Sequence, residues 1–225
     1  MNPELTMTLP PYQIACGATD ILAHIMERYF TNEPDCDLTD RLCEGTMQAV
    51  IRAARVMVKK PHDYDAAAQL MWASTIAHND TLSVGRVKDF ASHQIEHELS
   101  ALYDCAHGAG LAVVFPGWLR FMLQKPDKVM RLAQFAVRVF DVPVSGDDAA
   151  DAAVWQIVLI RLFEILLQHR LDGIIESKHN VCAVNGIDIA FVLERQLVTM
   201  CVLALDGAAV DAGKQLLVSQ LDAVQ

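Results

Sequence analysis

Apolar residues recur at helical spacing through nearly the whole chain, and no run alternates polar and apolar with a period of two. A first helix is expected from about Ala15 to Phe30, ending before Pro34. Asp37 reads as an N-cap for a second, whose stripe Leu42, Met47, Val50, Ala53 and Val56 runs to Lys59-Lys60-Pro61. A third starts at Asp63 and carries Leu70, Met71 and Trp72 towards His78; TLSVGRVKD then reads as a loop. FASHQIEHELSALY forms the next helix and CAHGAGLAVVFPGWLRF the one after, where Gly108 and Gly110 mark a tight helix start or close packing. In PDKVMRLAQFAVRVF, Pro126 suits a first helical position. DVPVSGDD is a loop whose Asp147 or Asp148 caps a long helix to about His169; an irregular stretch and one or two helices close the chain. The pattern predicts an all-α, multi-helix bundle of about eight or nine helices forming a single domain over residues 1–225.

Composition narrows what such a bundle does. The chain is 53% hydrophobic, enough for a sizeable core, and carries a formal charge of -10 with no basic cluster, which argues against nucleic acid. Two late oily stretches, AAVWQIVLIRLFEILL and IDIAFVLERQLVTMCVLAL, are each broken by charged residues and read as buried amphipathic helices, so no membrane is implied. The six cysteines show no CxxC spacing, and MNPELTMTLPPYQ has neither a basic nor an apolar leader region. Reduced thiols in a cytoplasmic protein are the expectation. No glycine-rich strand-turn-helix is present, hence no dinucleotide fingerprint and no P-loop.

The chemistry concentrates in three stretches. In GATDILAH, Asp20 and His24 stand four apart on one helix face; in SHQIEHEL, His93 and His97 do the same; His107 follows in CAHGAG. Such donors on facing helices can converge on one divalent cation, and imidazoles with one carboxylate suit Zn²⁺ or Fe²⁺ rather than Ca²⁺ or Mg²⁺. Each pair alone is as readily a polar helix surface; their conjunction raises the metal reading. Spacing does not separate His93 from His97. Other histidines read as incidental: His62-Asp63 resembles a phosphohydrolase dyad, but Asp63 is explained as a helix cap, and His78, His169 and His179 have no second donor at metal spacing.

GATDILAHIMERYF, DFASHQIEHELSALYDCAHGAGLAVVFPGWLRF and the opening NPELTMTLPPYQIACG resemble the C-terminal helical domain of iron-containing (group III) alcohol dehydrogenases, most closely the butanol dehydrogenase branch, over about residues 3 to 142. The resemblance implies NAD(H)- or NADP(H)-dependent interconversion of small alcohols and aldehydes by hydride transfer, with the metal as Lewis acid. It assigns Asp20, His24, His93 and His107 as metal ligands and places His97 beside nicotinamide and substrate as the proton carrier. Glu96, Glu98 or Ser92 are candidates to orient the imidazoles.

The family's nucleotide-binding α/β domain precedes such a helical half and has no counterpart here, so the expectation is a catalytic half, inactive alone, completed by that domain in cis or trans. An exposed apolar face would then favour homo-oligomers. After about residue 145 the match is poor, and no substrate residues carry over. Two other readings use the same residues: a stand-alone helical metallohydrolase, and a non-enzymatic helical interaction module with incidental histidines.

Overall fold

The computed structural model describes residues 1–141, Leu123 excepted. These contain six α-helices and no strand: α1 (Pro11–Tyr29), α2 (Asp37–Met57), α3 (Tyr64–His78), α4 (Ala91–Tyr103), α5 (His107–Met122) and α6 (Pro126–Phe140). Short 3₁₀ turns at Pro3–Thr6 and Thr81–Ser83 complete them. The all-α expectation holds for this region. The helix to His169, the closing helices, His179 and both late oily stretches lie outside the described residues. Among those described, no helix is long and apolar enough to cross a membrane.

Local chemistry sets most boundaries. Asp63 caps α3 by accepting a hydrogen bond from the Ala66 amide at 3.0 Å. Pro126 opens α6. Two boundaries differ from the sequence expectation. α1 begins at Pro11, because proline suits a first turn whose amide would have no partner. Asp37 is the first helical residue of α2, and Cys36 takes the cap position.

α1 runs through the centre and packs against α2, α3, α4 and α5. Its two faces do different work. Ile21, Leu22, Ile25, Met26 and Tyr29 are buried against Met47 and Val50 of α2, Leu111, Phe115 and Leu119 of α5, and Phe135 of α6. Asp20, His24 and Glu27, at i, i+4 and i+7, form the opposite, polar stripe. α6 is fixed to α2 through a buried polar knot: Asp40 accepts from Arg86 of the α3–α4 loop and from Arg131, while Gln134 donates to Tyr29 Oη at 2.9 Å and to Glu44 at 3.0 Å.

α5 approaches α1 at main-chain range. A Cβ on Gly108 would stand well under 3.0 Å from the Cys16 carbonyl, and one on Gly110 equally close to the buried Glu96 carboxylate. Both glycines are therefore close-packing positions, as expected from their place in CAHGAG.

Gly108→Ala should destabilise the chain sharply, since the obstacle is backbone that cannot rotate away. Gly17→Ala, on the exposed side of α1 with nothing within 4 Å, should stabilise by about 0.5–1 kcal/mol; urea denaturation of the two variants checks both. Burial opposes ionisation of Asp40, but its hydrogen bonds from Arg131, Arg86 and Gln134 win and hold the carboxyl below the usual range. A depressed folded pKa contributes stability above the unfolded value and loses it as pH falls through the folded one. Acid unfolding below about pH 4 should thus be less steep in Asp40→Asn, measured as midpoint against pH.

Candidate metal centre

Four imidazoles meet around one carboxylate. Asp20 Oδ1 lies 3.6 Å from His24 Nε2, 3.5 Å from His93 Nε2 and 3.3 Å from His107 Nε2. On its other side, Oδ2 stands 3.5 Å from His78 Nε2. The donor atoms fall into two groups sharing Asp20: one with His93 and His107, one with His24 and His78, each mutually within 4.8 Å. Four helices supply them: α1 gives Asp20 and His24, α3 His78, α4 His93, and α5 its first residue, His107.

Buried carboxylates aim two of the rings. Glu27, from α1, receives the first amides of α4: its Oε1 accepts from Ser92 N at 2.7 Å and His93 N at 3.2 Å. Its Oε2 takes His93 Nδ1 at 2.5 Å. α4 has no side-chain cap of its own at Phe90, so a carboxylate from another helix does that work. Glu96, fully buried, pairs with His107 Nδ1 and accepts the Ser100 hydroxyl. A carboxylate on Nδ1 fixes the tautomer that leaves Nε2 free to bind a metal.

The donor set fits a divalent transition metal. Asp20 Oδ1 and His93 Nε2 are buried yet have no hydrogen-bond partner, an arrangement that costs free energy unless something satisfies them. Ligands bound at about 2.0–2.2 Å around a four-coordinate cation stand roughly 3.4 Å from one another, which is the observed separation of Asp20 from the three rings. The charges agree. Burial works against ionised Asp20, but the surrounding imidazoles hold its carboxyl below the ordinary range. Burial, with help from the charges of His93, His78 and Arg28, pushes His24 down to about 3, leaving the neutral imidazole that a metal requires. Burial would also lower His93, but the carboxylates of Asp20 and Glu27 on either side outweigh it and push the ring up to about 9.

Of the four residues named as ligands from the family resemblance, His24, His93 and His107 each place Nε2 within 3.6 Å of Asp20 Oδ1, His93 and His107 sharing one donor group with Asp20 and His24 the other. His97 does not join them around Asp20. It is exposed, with its ring 5.3 Å from that of His107 and 6.4 Å from that of His93. Of the three candidate orienting residues, Glu96 does so for His107, and Ser92 contributes a backbone amide to Glu27. Glu27 itself was missed, although its place two turns beyond Asp20 on the same face was a readable signal. His78 corrects the sequence reading. It has a second donor after all, because α3 packs its last residue against α1, a proximity that no local spacing contains.

Comparison with known proteins agrees with this architecture. The C-terminal profile of the Fe-containing alcohol dehydrogenase family matches residues 14–194. The chain belongs to that family. It is 39% identical over 193 residues to the NADH-dependent butanol dehydrogenase B of Clostridium acetobutylicum, covering 84% of this chain and 49% of that protein. It is 36% identical over 156 residues to the NADPH-dependent aldehyde reductase YqhD of Escherichia coli, covering 68% of this chain and 40% of that protein. The NADH-dependent butanol dehydrogenase A structure from Thermotoga maritima superposes with a TM-score of 0.68 at 33% identity, over 78% of this chain and 46% of that one. The chain spans about half the length, or less, of the curated relatives it matches.

Because His93 carries a proton in the metal-free chain up to about pH 9, cation binding should displace it. Affinity should therefore rise with pH from 6 to 9. Calorimetric titration with Zn²⁺ at pH 7, in buffers of different ionisation enthalpy, should show release of about one proton per cation.

Proposed function

We propose that this chain is the metal-binding half of an NAD(P)-dependent oxidoreductase that interconverts small alcohols and aldehydes. The observation that carries the reading is the unpartnered Asp20 Oδ1 facing three imidazole Nε2 atoms at 3.3–3.6 Å. Asp20, His24, His93 and His107 hold the cation, Fe²⁺ or Zn²⁺. When bound, it supplies Lewis acidity towards the hydroxyl or carbonyl oxygen of the substrate.

The protein's own part is positional. Glu27 and Glu96 keep the rings of His93 and His107 aimed, so the oxygen's place is set before substrate arrives. His97, exposed beside His107, takes the substrate's hydroxyl proton to solvent and returns it in the reductive direction. Hydride acceptance and donation belong to a nicotinamide held by a nucleotide-binding half, in cis or in trans. The butanol dehydrogenases and aldehyde reductase among the relatives support this substrate class.

The chain should take up one divalent cation and show no turnover with NAD(H) or NADP(H) and butanol or butyraldehyde. Turnover should begin when the nucleotide-binding half of a relative is joined to it or added. In that assembly His97→Ala should lower kcat about 10²–10⁴-fold while leaving metal content unchanged, and His93→Ala should lose the metal. Ester or phosphate hydrolysis by the metal-loaded chain without nucleotide would instead favour a metallohydrolase.

A further inference from the structure

The metal reading uses Asp20 Oδ1 and the three imidazoles around it and leaves His78 unused. His78 is the last residue of α3. Its Nδ1 lies 2.7 Å from the Ser74 carbonyl oxygen, which can only accept, so Nδ1 carries the hydrogen. That bond turns Nε2 towards Asp20, to 3.5 Å from Oδ2. The ring sits 4.0 Å from that of His24, and the donor atoms of Asp20, His24 and His78 lie within 4.8 Å of one another. Asp20 therefore faces imidazoles with both oxygens: Oδ1 towards His24, His93 and His107, and Oδ2 towards His78.

Resting on the metal centre described above, we propose that His78, whose donor atom groups with those of Asp20 and His24 and not with those of His93 and His107, is a displaceable further ligand that reaches the same cation across the Asp20 carboxylate. One carboxylate and four imidazoles form a set that selects ions of the Zn²⁺, Ni²⁺ and Cu²⁺ type over harder ones. The five side chains differ in accessibility: 6% for His93, 19% for His24, 25% for Asp20, 35% for His107 and 39% for His78. His78 is thus the donor that solvent or an incoming molecule reaches first. Its release opens a coordination position, and its return closes one. The rings of His93 and His107 are held by the carboxylates of Glu27 and Glu96, whereas that of His78, at the end of α3, is held by one bond to its own preceding turn.

Zn²⁺ titration against a competing chelator tests this on the chain as it exists, with circular dichroism confirming matched helicity. Wild type should bind one Zn²⁺ per chain. His78→Ala and His78→Leu should each still bind one, at least about tenfold more weakly, while His62→Ala, an exposed histidine away from the cluster, should match wild type. With Co²⁺ as the probe, the visible absorption of the wild type should be the weaker, and should intensify in His78→Ala as the coordination number falls. Unchanged affinity and an unchanged Co²⁺ spectrum in both His78 variants would overturn the proposal while leaving the four-ligand centre standing. Two Zn²⁺ per wild-type chain would also overturn it, by giving His78 a cation of its own. No stoichiometric uptake by wild type would sink the metal centre itself, and the fifth ligand with it.

Discussion

The carboxylate of Glu27 holds the site and the fold in one set of bonds. It is 2% exposed, and an ion so buried is tolerable only if its lone pairs are filled. They are filled by two amides at the start of α4 and by the ring of His93. The same contacts decide where α4 begins, how it docks on α1, and which way His93 points. Removing this carboxylate would uncap a helix and release the ring of His93 at once. Glu96 repeats the device between α4 and α5, with Gly110 leaving it room. The candidate metal centre is therefore a product of helix docking: its rings are aimed by the carboxylates that join the helices.

α1 makes this economical. One face closes the apolar core with Tyr29, Met26 and Ile25, all almost wholly buried, and the other carries Asp20, His24 and Glu27. Core packing fixes the axis of α1, and the axis fixes the polar stripe. Arg28 adds a further brace, donating through Nε to Ser83 at 2.7 Å and lying 5.1 Å from the Phe90 ring centroid, so the connection between α3 and α4 is tied to the same helix.

How much of this could be read from the residues follows from the range of each interaction. Helix spacing and caps are local, so α2 to α6 fall within a few residues of their expected places. The Asp20–His24 and His93–His97 pairs are local too and visible as motifs. Spacing left the two histidines of α4 equivalent; the family pattern separated them, and docking explains the difference, because Glu27 reaches only His93. Glu27 was legible in principle from its i+7 relation to Asp20. His78 was not, since it stands 58 residues from Asp20 in sequence and meets it only because α3 packs across α1.

The seating of Gly108 against the carbonyl of Cys16 carries a last consequence. Where two helices meet through side chains, a substitution on one can be accommodated by repacking on the other, and their separation drifts over generations. Here the touching surfaces are main chain, which has no variants. The gap between Asp20, one turn beyond Cys16, and His107, one residue before Gly108, is thereby insulated from changes elsewhere in the core. The rim can vary its chemistry while the ruler between these two side chains keeps its length.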